Sequence, residues 1–222
     1  MTNRTQRVVL ISAAAAFLLL APSLFAAGFP NPPTDPSAPK TGFQTAVLAG
    51  GCFWGMEGVF ERLKGVSQVV SGYSGGDAKT AHYEIVSMGN TGHAESVQIT
   101  FDPSKISYGT ILKVYFSIAH DPTQLNYQGP DEGTQYRSAI FYANAWQKSI
   151  AEKYIDLLTK ARVYSDPIVT EVVPLKAFYP AEEYHQHFLD NNPDYPYIVM
   201  WDIPKIANLK KTYPDLVGQS NL

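Results

Sequence analysis

Cys52 is the only cysteine among 222 residues, and it lies in the sequence GGCFWG at positions 50–55. A short apolar run at residues 45–49 precedes it and predicts a buried strand. Apolar residues then recur at helical spacing as far as Gly65, which predicts a helix that stops there. The thiol is thus placed where a strand ends and a helix begins. Unpaired backbone N–H groups and the positive end of the helix dipole favour a thiolate at such a position.

A structural cysteine in the core is the alternative, because Phe53 and Trp54 add two large aromatic side chains next to it. The flanking glycines favour a reactive thiol, since they leave room for another molecule to approach the sulfur. Together with the helix start, they make Cys52 the candidate nucleophile of this chain.

A thiolate that cleaves a polar bond needs a proton donor close to it. Glu95 lies where a turn leads into a predicted strand, and apolar surroundings there would raise the pKa of its carboxyl group. A solvated surface glutamate is the alternative, because most acidic side chains are exposed. Tyr83 and Tyr136 are candidate hydroxyl donors or core residues, and Asp131 is either a turn residue or an acid of the site.

The histidines give weaker signals. His185 and His187 are two residues apart, a spacing that matches no pair on one helix face, so we predict no metal site. A Cys–His pair with His93, His120 or His185 as the base stays open, although no local sequence signature supports it.

Composition bounds the classes of function. Hydrophobic residues make up 45% of the chain and aromatic residues 13%, which is enough for a packed core. The formal net charge of −3 gives no basic surface for nucleic acid. One cysteine and five histidines are too few for an iron–sulfur cluster or a zinc ribbon.

The N-terminal segment differs from the rest of the chain. Residues 1–27 carry two arginines, a long apolar stretch and then small residues, which predicts a secretory signal peptide and export to the bacterial periplasm. An uncleaved membrane anchor is the alternative. Residues 28–43 contain five prolines and predict a stiff linker, and residues 44–222 predict a single catalytic domain with an extended C-terminal tail. One cysteine in an exported protein cannot form an internal disulfide, which again indicates chemistry.

Further strands are predicted at residues 66–73, 94–101, 138–142 and 168–173. Helices are predicted at residues 80–88, after caps at Ser107 and Asn144, and at residues 180–189 with Tyr184 and Phe188 inward. The elements interleave without a regular βαβ rhythm or a phosphate-binding glycine motif. We therefore predict an α+β fold, a two-layer sandwich with a central mixed β-sheet flanked by helices and arranged as a ferredoxin-like plait. The long loop at residues 120–137 is predicted to be functional, and residues 191–222 to wrap the surface.

Five sequence blocks, in order, resemble the A-type peptide methionine sulfoxide reductases. They are GCFWG (51–55), GYSGG (72–76), GHAE (92–95), DEGTQYRS (131–138) and FYPAEEYHQ (178–186). The resemblance covers residues 46–191, most of the predicted folded chain. It implies that this enzyme reduces the S epimer of methionine sulfoxide, free or in proteins, back to methionine, which repairs oxidative damage.

The resemblance also implies a role for each matching residue. Cys52 attacks the sulfoxide sulfur and is left as a sulfenic acid. Glu95, helped by Tyr83 and Tyr136, hydrogen-bonds and protonates the sulfoxide oxygen. The implied binding residues are Phe53 and Trp54 for the substrate methyl group and Asp131 for steering the substrate.

The chain departs from many relatives in carrying no further cysteine toward its C-terminus. The sulfenic acid of Cys52 must then be attacked by an external thiol, which a thioredoxin-like protein or a small thiol supplies. We predict a monomer without a bound cofactor.

Two other classes of function stay open at this stage. A thiol peroxidase would pass through the same sulfenic acid on Cys52. A non-catalytic exported binding domain would use Phe53 and Trp54 to hold methionine-containing segments of other proteins.

Overall fold

The structure is a computed structural model that describes residues 28–34, 38 and 40–218. The predicted signal segment at residues 1–27 lies outside this range, as does part of the proline-rich segment. Within the described residues, no helix combines the length and the apolar character needed to cross a membrane.

The elements alternate along the chain much as predicted. The strands are β1 (Gln44–Gly50), β2 (Val66–Ser74), β3 (Ala94–Phe101), β4 (Tyr127–Gln128), β5 (Asp131–Glu132), β6 (Ser138–Tyr142), β7 (Glu171–Pro174) and β8 (Phe178–Pro180). The α-helices are α1 (Phe53–Glu61), α2 (Tyr83–Val86), α3 (Tyr108–Val114), α4 (Ala145–Lys160), α5 (Phe188–Asn191) and α6 (Ile203–Thr212). Wider helical turns extend α3 over Tyr115–Ala119 and precede α6 over Ile198–Asp202.

Six of the strands form one sheet in the order β7-β6-β1-β3-β2-β8. All neighbours are antiparallel except β6 and β7, which are parallel, so the sheet is mixed. The central order β6-β1-β3-β2, with α1 and α3 in the connections, is that of a ferredoxin-like plait. The predicted α+β fold class is confirmed.

Strand β1 is buried on both faces, which explains why its sequence is an uninterrupted apolar run. Ala46 and Leu48 point into the main core with the helices, whereas Val47 and Ala49 belong to a smaller cluster on the opposite face. The central strand of the sheet therefore fixes the position of whatever follows it in sequence.

The connection from β1 to α1 depends on glycine at position 51. Gly51 has φ +89°, a left-handed conformation that side chains disfavour. A Cβ atom there would also lie 2.5 Å from Cγ of Gln128. The sharp turn this permits places Cys52 directly before the first residue of α1.

Residues 28–34 contact the folded domain although they form no helix or strand. The hydroxyl of Tyr154 donates a hydrogen bond to the carbonyl oxygen of Pro30 at 2.7 Å. The ammonium of Lys113 donates to Asn31 at 2.8 Å. This part of the proline-rich segment is therefore held against α3 and α4.

Two predictions for the C-terminal third are wrong. No helix spans residues 180–189, because Pro180 ends β8 and His187 adopts a left-handed conformation with φ +51° that interrupts any helix. Tyr184 is consequently exposed rather than inward. The segment after residue 191 also does more than wrap the surface, since α6 buries Ile206 and Leu209 in the main core.

Asn144→Ala is expected to lower the free energy of unfolding by about 1 kcal/mol. The side chain of Asn144 accepts a hydrogen bond from the backbone N–H of Gln147 at 2.9 Å and so caps α4. Denaturant unfolding of the variant measures the loss. Lys153→Ala, at an exposed position of the same helix, is the control. An equal loss in both variants would contradict a capping role.

Candidate active site

Cys52 is the residue that caps the start of α1, as its position in the sequence predicted. It exposes only 9% of its surface, so the thiol is nearly enclosed. The preceding strand β1 and the glycine turn hold it at the end of the sheet. The sulfur is therefore presented from the junction of the central strand and the first helix.

Glu95 reaches the same helix start from the neighbouring strand β3. The backbone N–H of Phe53, the first residue of α1, donates a hydrogen bond to Oε2 of Glu95 at 3.1 Å. Only 2% of Glu95 is exposed, so the surface-glutamate alternative is excluded. One contact thus brings the carboxyl group beside the residue that follows the thiol.

Burial raises the pKa of the Glu95 carboxyl group from 4.5 to about 8. The N–H of Phe53 acts in the opposite direction, and the carboxylate of Asp131 adds to the increase. Near neutral pH Glu95 is therefore mostly protonated and can donate a proton.

The thiol differs from its prediction. Burial, followed by the carboxylates of Glu95 and Asp202, holds the pKa of Cys52 well above its ordinary value, although the N–H of Trp54 lowers it. The helix start was expected to favour a thiolate, but near-complete desolvation outweighs that effect. At neutral pH the neutral form of Glu95 removes one of the charges that oppose ionisation of the thiol.

A cavity of about 210 Å³ opens at this point. All seven site residues singled out in the sequence line it, and two further tyrosines join them. The lining residues are Cys52, Phe53, Trp54, Tyr83, Glu95, Asp131, Tyr136, Tyr195 and Tyr197. Sequence reasoning therefore found most of the cavity but missed the part that comes from the C-terminal segment.

The indole of Trp54 is fixed by contacts on several sides. It stacks on Phe188 with ring centroids 3.8 Å apart, and Tyr195 and Tyr197 meet it edge-on. Its Nε1–H donates a hydrogen bond to Nδ1 of His185 at 3.2 Å. The aromatic wall is thus held in one orientation before any ligand arrives.

The hydroxyl groups of Tyr83 and Tyr136 are protonated donors at neutral pH. Burial, then the carboxylate of Glu95, raises the pKa of Tyr83 to about 12, and the same causes raise that of Tyr136 further. Tyr83 is positioned by Glu182, whose Oε1 accepts a hydrogen bond from its backbone N–H at 3.0 Å. Both tyrosines can therefore hydrogen-bond an oxygen held in the cavity.

Asp131 begins β5, in the short hairpin of the long loop at residues 120–137. The hydroxyl of Tyr197 donates a hydrogen bond to Oδ2 of Asp131. Burial raises the pKa of the Asp131 carboxyl group, while Tyr197 and Lys205 lower it. Asp131 is therefore a partly buried acid at the cavity as well as a residue of a turn.

The C-terminal segment contributes a second buried acid close to the thiol. Asp202 is fully buried, and its carboxylate lies against Gly55 in the first turn of α1, leaving no room for a Cβ atom. Nζ of Lys205 donates a hydrogen bond to Oδ1 of Asp202 at 3.1 Å. The prolines of this segment indicated irregular surface chain, so no site residue was predicted in it. The closely spaced Tyr195 and Tyr197 were the signal that the sequence offered.

None of the three histidines considered as a base lines this cavity. His93 hydrogen-bonds the backbone of Gly76 and Asp77, and His120 that of Tyr115. Burial lowers the pKa of His120 to about 3. His185 packs between aromatic rings and accepts from Trp54. His187 lies instead beside Glu61, with Nδ1 2.6 Å from Oε1. We assign a structural role to His93, His120 and His185.

The arrangement has a definite chemical capability. The thiol of Cys52 lines a small, mostly aromatic cavity together with the neutral carboxyl group of Glu95 and two phenol donors. The neutral carboxyl group can protonate an oxygen atom held over the sulfur and so make the atom bonded to that oxygen electrophilic.

Comparisons with known proteins agree on one family. The family described as "Peptide methionine sulfoxide reductase" matches residues 44–216. A protein of Mesorhizobium japonicum named "Peptide methionine sulfoxide reductase MsrA 2" is 62% identical over 178 residues, which is 80% of this chain and 91% of that protein. A protein of the same name from Synechocystis is 48% identical over 196 residues, 87% of this chain and 92% of its own.

Solved structures give the same result for the fold. Reduced Mxr1 from Saccharomyces cerevisiae has a TM-score of 0.63 and 34% identity, covering 74% of this chain and 91% of its own. Methionine sulfoxide reductase A of Corynebacterium diphtheriae has a TM-score of 0.60 and 36% identity, covering 68% and 76%.

Glu95→Gln is expected to stabilise the folded protein increasingly as the pH rises. In the wild type the unfolded chain ionises Glu95 above pH 4.5, whereas the folded protein retains the proton until about pH 8. The folded state therefore loses stability over this window, by on the order of 4 kcal/mol at pH 8, and the neutral amide removes that loss.

Unfolding of wild type and variant at pH 5 and pH 8 measures the difference. Glu152→Gln, at an exposed position of α4, is the control and is expected to show no such growth with pH. A Glu95→Gln effect that is the same at both pH values would mean that the carboxyl pKa is not raised.

Proposed function

This chain belongs to the peptide methionine sulfoxide reductase family and reduces methionine sulfoxide, and we propose that it does so with Cys52 as nucleophile and Glu95 as acid. The observation that carries this assignment is the hydrogen bond from the first N–H of α1 to Glu95. It holds a protonated carboxyl group beside the only thiol of the chain. Sulfoxide is a poor electrophile until its oxygen is protonated, so the reaction needs this pair.

In the first step Glu95 donates its proton to the sulfoxide oxygen, and the hydroxyls of Tyr83 and Tyr136 hydrogen-bond the same oxygen. The sulfur of Cys52 attacks the activated sulfoxide sulfur while the thiol proton replaces the one that Glu95 has donated. The S–O bond of the substrate breaks, and the oxygen ends on Cys52 as a hydroxyl group. In sum, a thiol and a sulfoxide become a sulfenic acid and methionine. The substrate sulfur gains two electrons and the cysteine sulfur loses two. The shared lining of the cavity by these four residues supports this step.

The substrate methyl group packs against Phe53 and Trp54, which are the apolar wall of the cavity. Asp131, oriented by Tyr197, steers the remainder of the bound substrate. With the acid and the aromatic wall both fixed, the two epimers at sulfur cannot place oxygen and methyl group equally well. We assign the S epimer, as the family resemblance implies.

Regeneration of the thiol uses an external reductant. The chain has one cysteine, so an incoming thiol attacks the sulfenic acid, releases water and forms a mixed disulfide with Cys52. A second thiol then displaces Cys52 and leaves with the first as a disulfide. A thioredoxin-like protein supplies both thiols from one molecule, whereas a small thiol requires two molecules.

We also propose that the protein is exported and that its folded part is one domain. Residues 1–27 direct export to the periplasm, which the charge and apolar pattern of that segment supports. Residues 44–222 act as one catalytic domain, and the protein acts as a monomer.

A single turnover without reductant tests the function. Purified protein mixed with excess methionine S-sulfoxide is expected to release one methionine per chain and to gain one oxygen atom on Cys52 by intact mass. Cys52→Ser is the control and is expected to do neither. Release of no methionine would reject the reductase proposal, and consumption of peroxide much faster than sulfoxide would favour a thiol peroxidase. Binding of methionine peptides without turnover under any thiol would favour a binding domain.

Glu95→Gln is expected to slow the first turnover by at least about a hundredfold while substrate binding is kept. The reason is that the amide has the shape of the carboxyl group but cannot transfer a proton to the sulfoxide oxygen. The wild-type rate should also fall as the pH rises through about 8, where Glu95 loses its proton. Stopped-flow measurement of the first turnover across pH gives both results. A near-normal rate in the variant would remove Glu95 from the role of acid.

The one-cysteine cycle has its own test. After one turnover, addition of one equivalent of a thiol is expected to give a mixed disulfide with Cys52 in monomeric protein, detected by mass under non-reducing conditions. A disulfide between two Cys52 residues as an obligatory intermediate would contradict this cycle.

A further inference from the structure

Exposed apolar side chains are concentrated in one short segment of the described residues. Nine large apolar side chains are exposed in that part of the chain, and five of them lie within residues 195–203. These five, which we call the rim patch, are Tyr195, Val199, Met200, Trp201 and Ile203. Single exposed apolar residues are ordinary, whereas a continuous group marks a binding surface.

Three residues of the rim patch follow one another at one-turn spacing. The backbone N–H of Val199 donates to the carbonyl oxygen of Tyr195 at 3.0 Å, which places these two residues one turn apart, and Ile203 follows one turn later. Ile198 and Asp202 of the same helical segment are fully buried. These buried residues therefore anchor the segment in the domain while the rim patch faces solvent.

The rim patch begins at the opening of the cavity. Tyr195 lines the cavity together with Cys52 and also belongs to the rim patch. Tyr197, three and four residues before Met200 and Trp201, lines the cavity as well. A molecule with one group in the cavity would extend across this surface.

The rim patch carries no charge. Asp202 is the only charged residue in the sequence from 195 to 203, and it is buried and paired with Lys205. The cavity itself, at about 210 Å³, is smaller than the roughly 300–1,000 Å³ of pockets that enclose whole drug-sized ligands. It suits a single side chain, with the remainder of the ligand outside.

We propose that the rim patch binds the apolar residues that flank a methionine sulfoxide in an extended polypeptide. This inference rests on the proposed function of the cavity. Methionine lies mostly among apolar neighbours in protein cores, and its oxidation disrupts the packing and exposes them. Free methionine sulfoxide instead carries an ammonium and a carboxylate group next to its side chain, and the rim patch offers neither a partner.

The test compares two substrates in the first turnover, without reductant. The double variant Val199→Ser/Met200→Ser removes the most exposed part of the rim patch and leaves every residue that lines the cavity unchanged. For a peptide with one methionine sulfoxide between leucine and valine residues, the second-order rate constant is expected to fall about tenfold. For free methionine sulfoxide it is expected to change less than about twofold.

Phe43→Ser is the matched control. Phe43 is 66% exposed and Met200 65%, but Phe43 precedes β1 at the end opposite to Cys52. A seven-residue strand, about 20 Å long, separates the two positions. This variant is expected to reduce both substrates at wild-type rates.

Four results would overturn the inference. The first is an unchanged rate on the peptide in the double variant, and the second is an equal loss of rate on both substrates. The third is a double variant whose first turnover is normal but whose thioredoxin-driven cycling is slower. The fourth is a wild-type protein that sediments as a dimer while the double variant sediments as a monomer. The third would assign the rim patch to the reductant and the fourth to a second copy of the chain. If the wild-type protein formed methionine from neither substrate, the proposed function itself would be rejected.

Discussion

The hydrogen bond between the first N–H of α1 and Glu95 is the contact on which the arrangement of the site depends. It joins two residues 42 positions apart in sequence and sets a carboxyl group beside Cys52, which occupies the N-cap position of the same helix. Both groups are buried, and burial disfavours the anionic form of each. Each anion also opposes ionisation of the other, so the pair holds its protons until something else can accept one. A sulfoxide oxygen is such an acceptor.

The C-terminal segment gives this pair its surroundings. Phe188 and Tyr195 hold the indole of Trp54, and Tyr197 holds Asp131. The carboxylate of Asp202 occupies the space beside Gly55 in the first turn of α1. The C-terminal segment therefore fixes the shape of the cavity around the start of α1 as firmly as the sheet fixes the positions of Cys52 and Glu95.

The sequence predicted those parts of the structure that depend on local patterns. The apolar run of β1, the glycines at 50 and 51 and the periodicity of α1 placed Cys52 correctly, because each is a short-range signal. The caps at Ser107 and Asn144 were found for the same reason.

Long-range effects could not be predicted in this way. The pKa of the thiol depends first on how deeply the fold encloses Cys52 and then on Glu95 and Asp202, which are 43 and 150 residues away in sequence, so the local helix argument gave the wrong direction. The prolines around Tyr195 and Tyr197 indicated irregular chain, and only tertiary packing makes that segment part of the cavity. The left-handed conformation of His187 likewise has no signal in an otherwise helix-like sequence.

The near-complete enclosure of Cys52 has a kinetic consequence. The 9% of the residue that is exposed lines the cavity in which the sulfoxide is proposed to bind, and the chain has no second cysteine that could take over the oxidation as a disulfide. In the proposed cycle substrate and reductant would therefore use the same space in alternation, with methionine departing before a thiol enters. The proposed cycle is thus a ping-pong scheme in which sulfoxide and thiol compete for one opening of the cavity. A large excess of sulfoxide would occupy the oxidised enzyme and slow its own turnover.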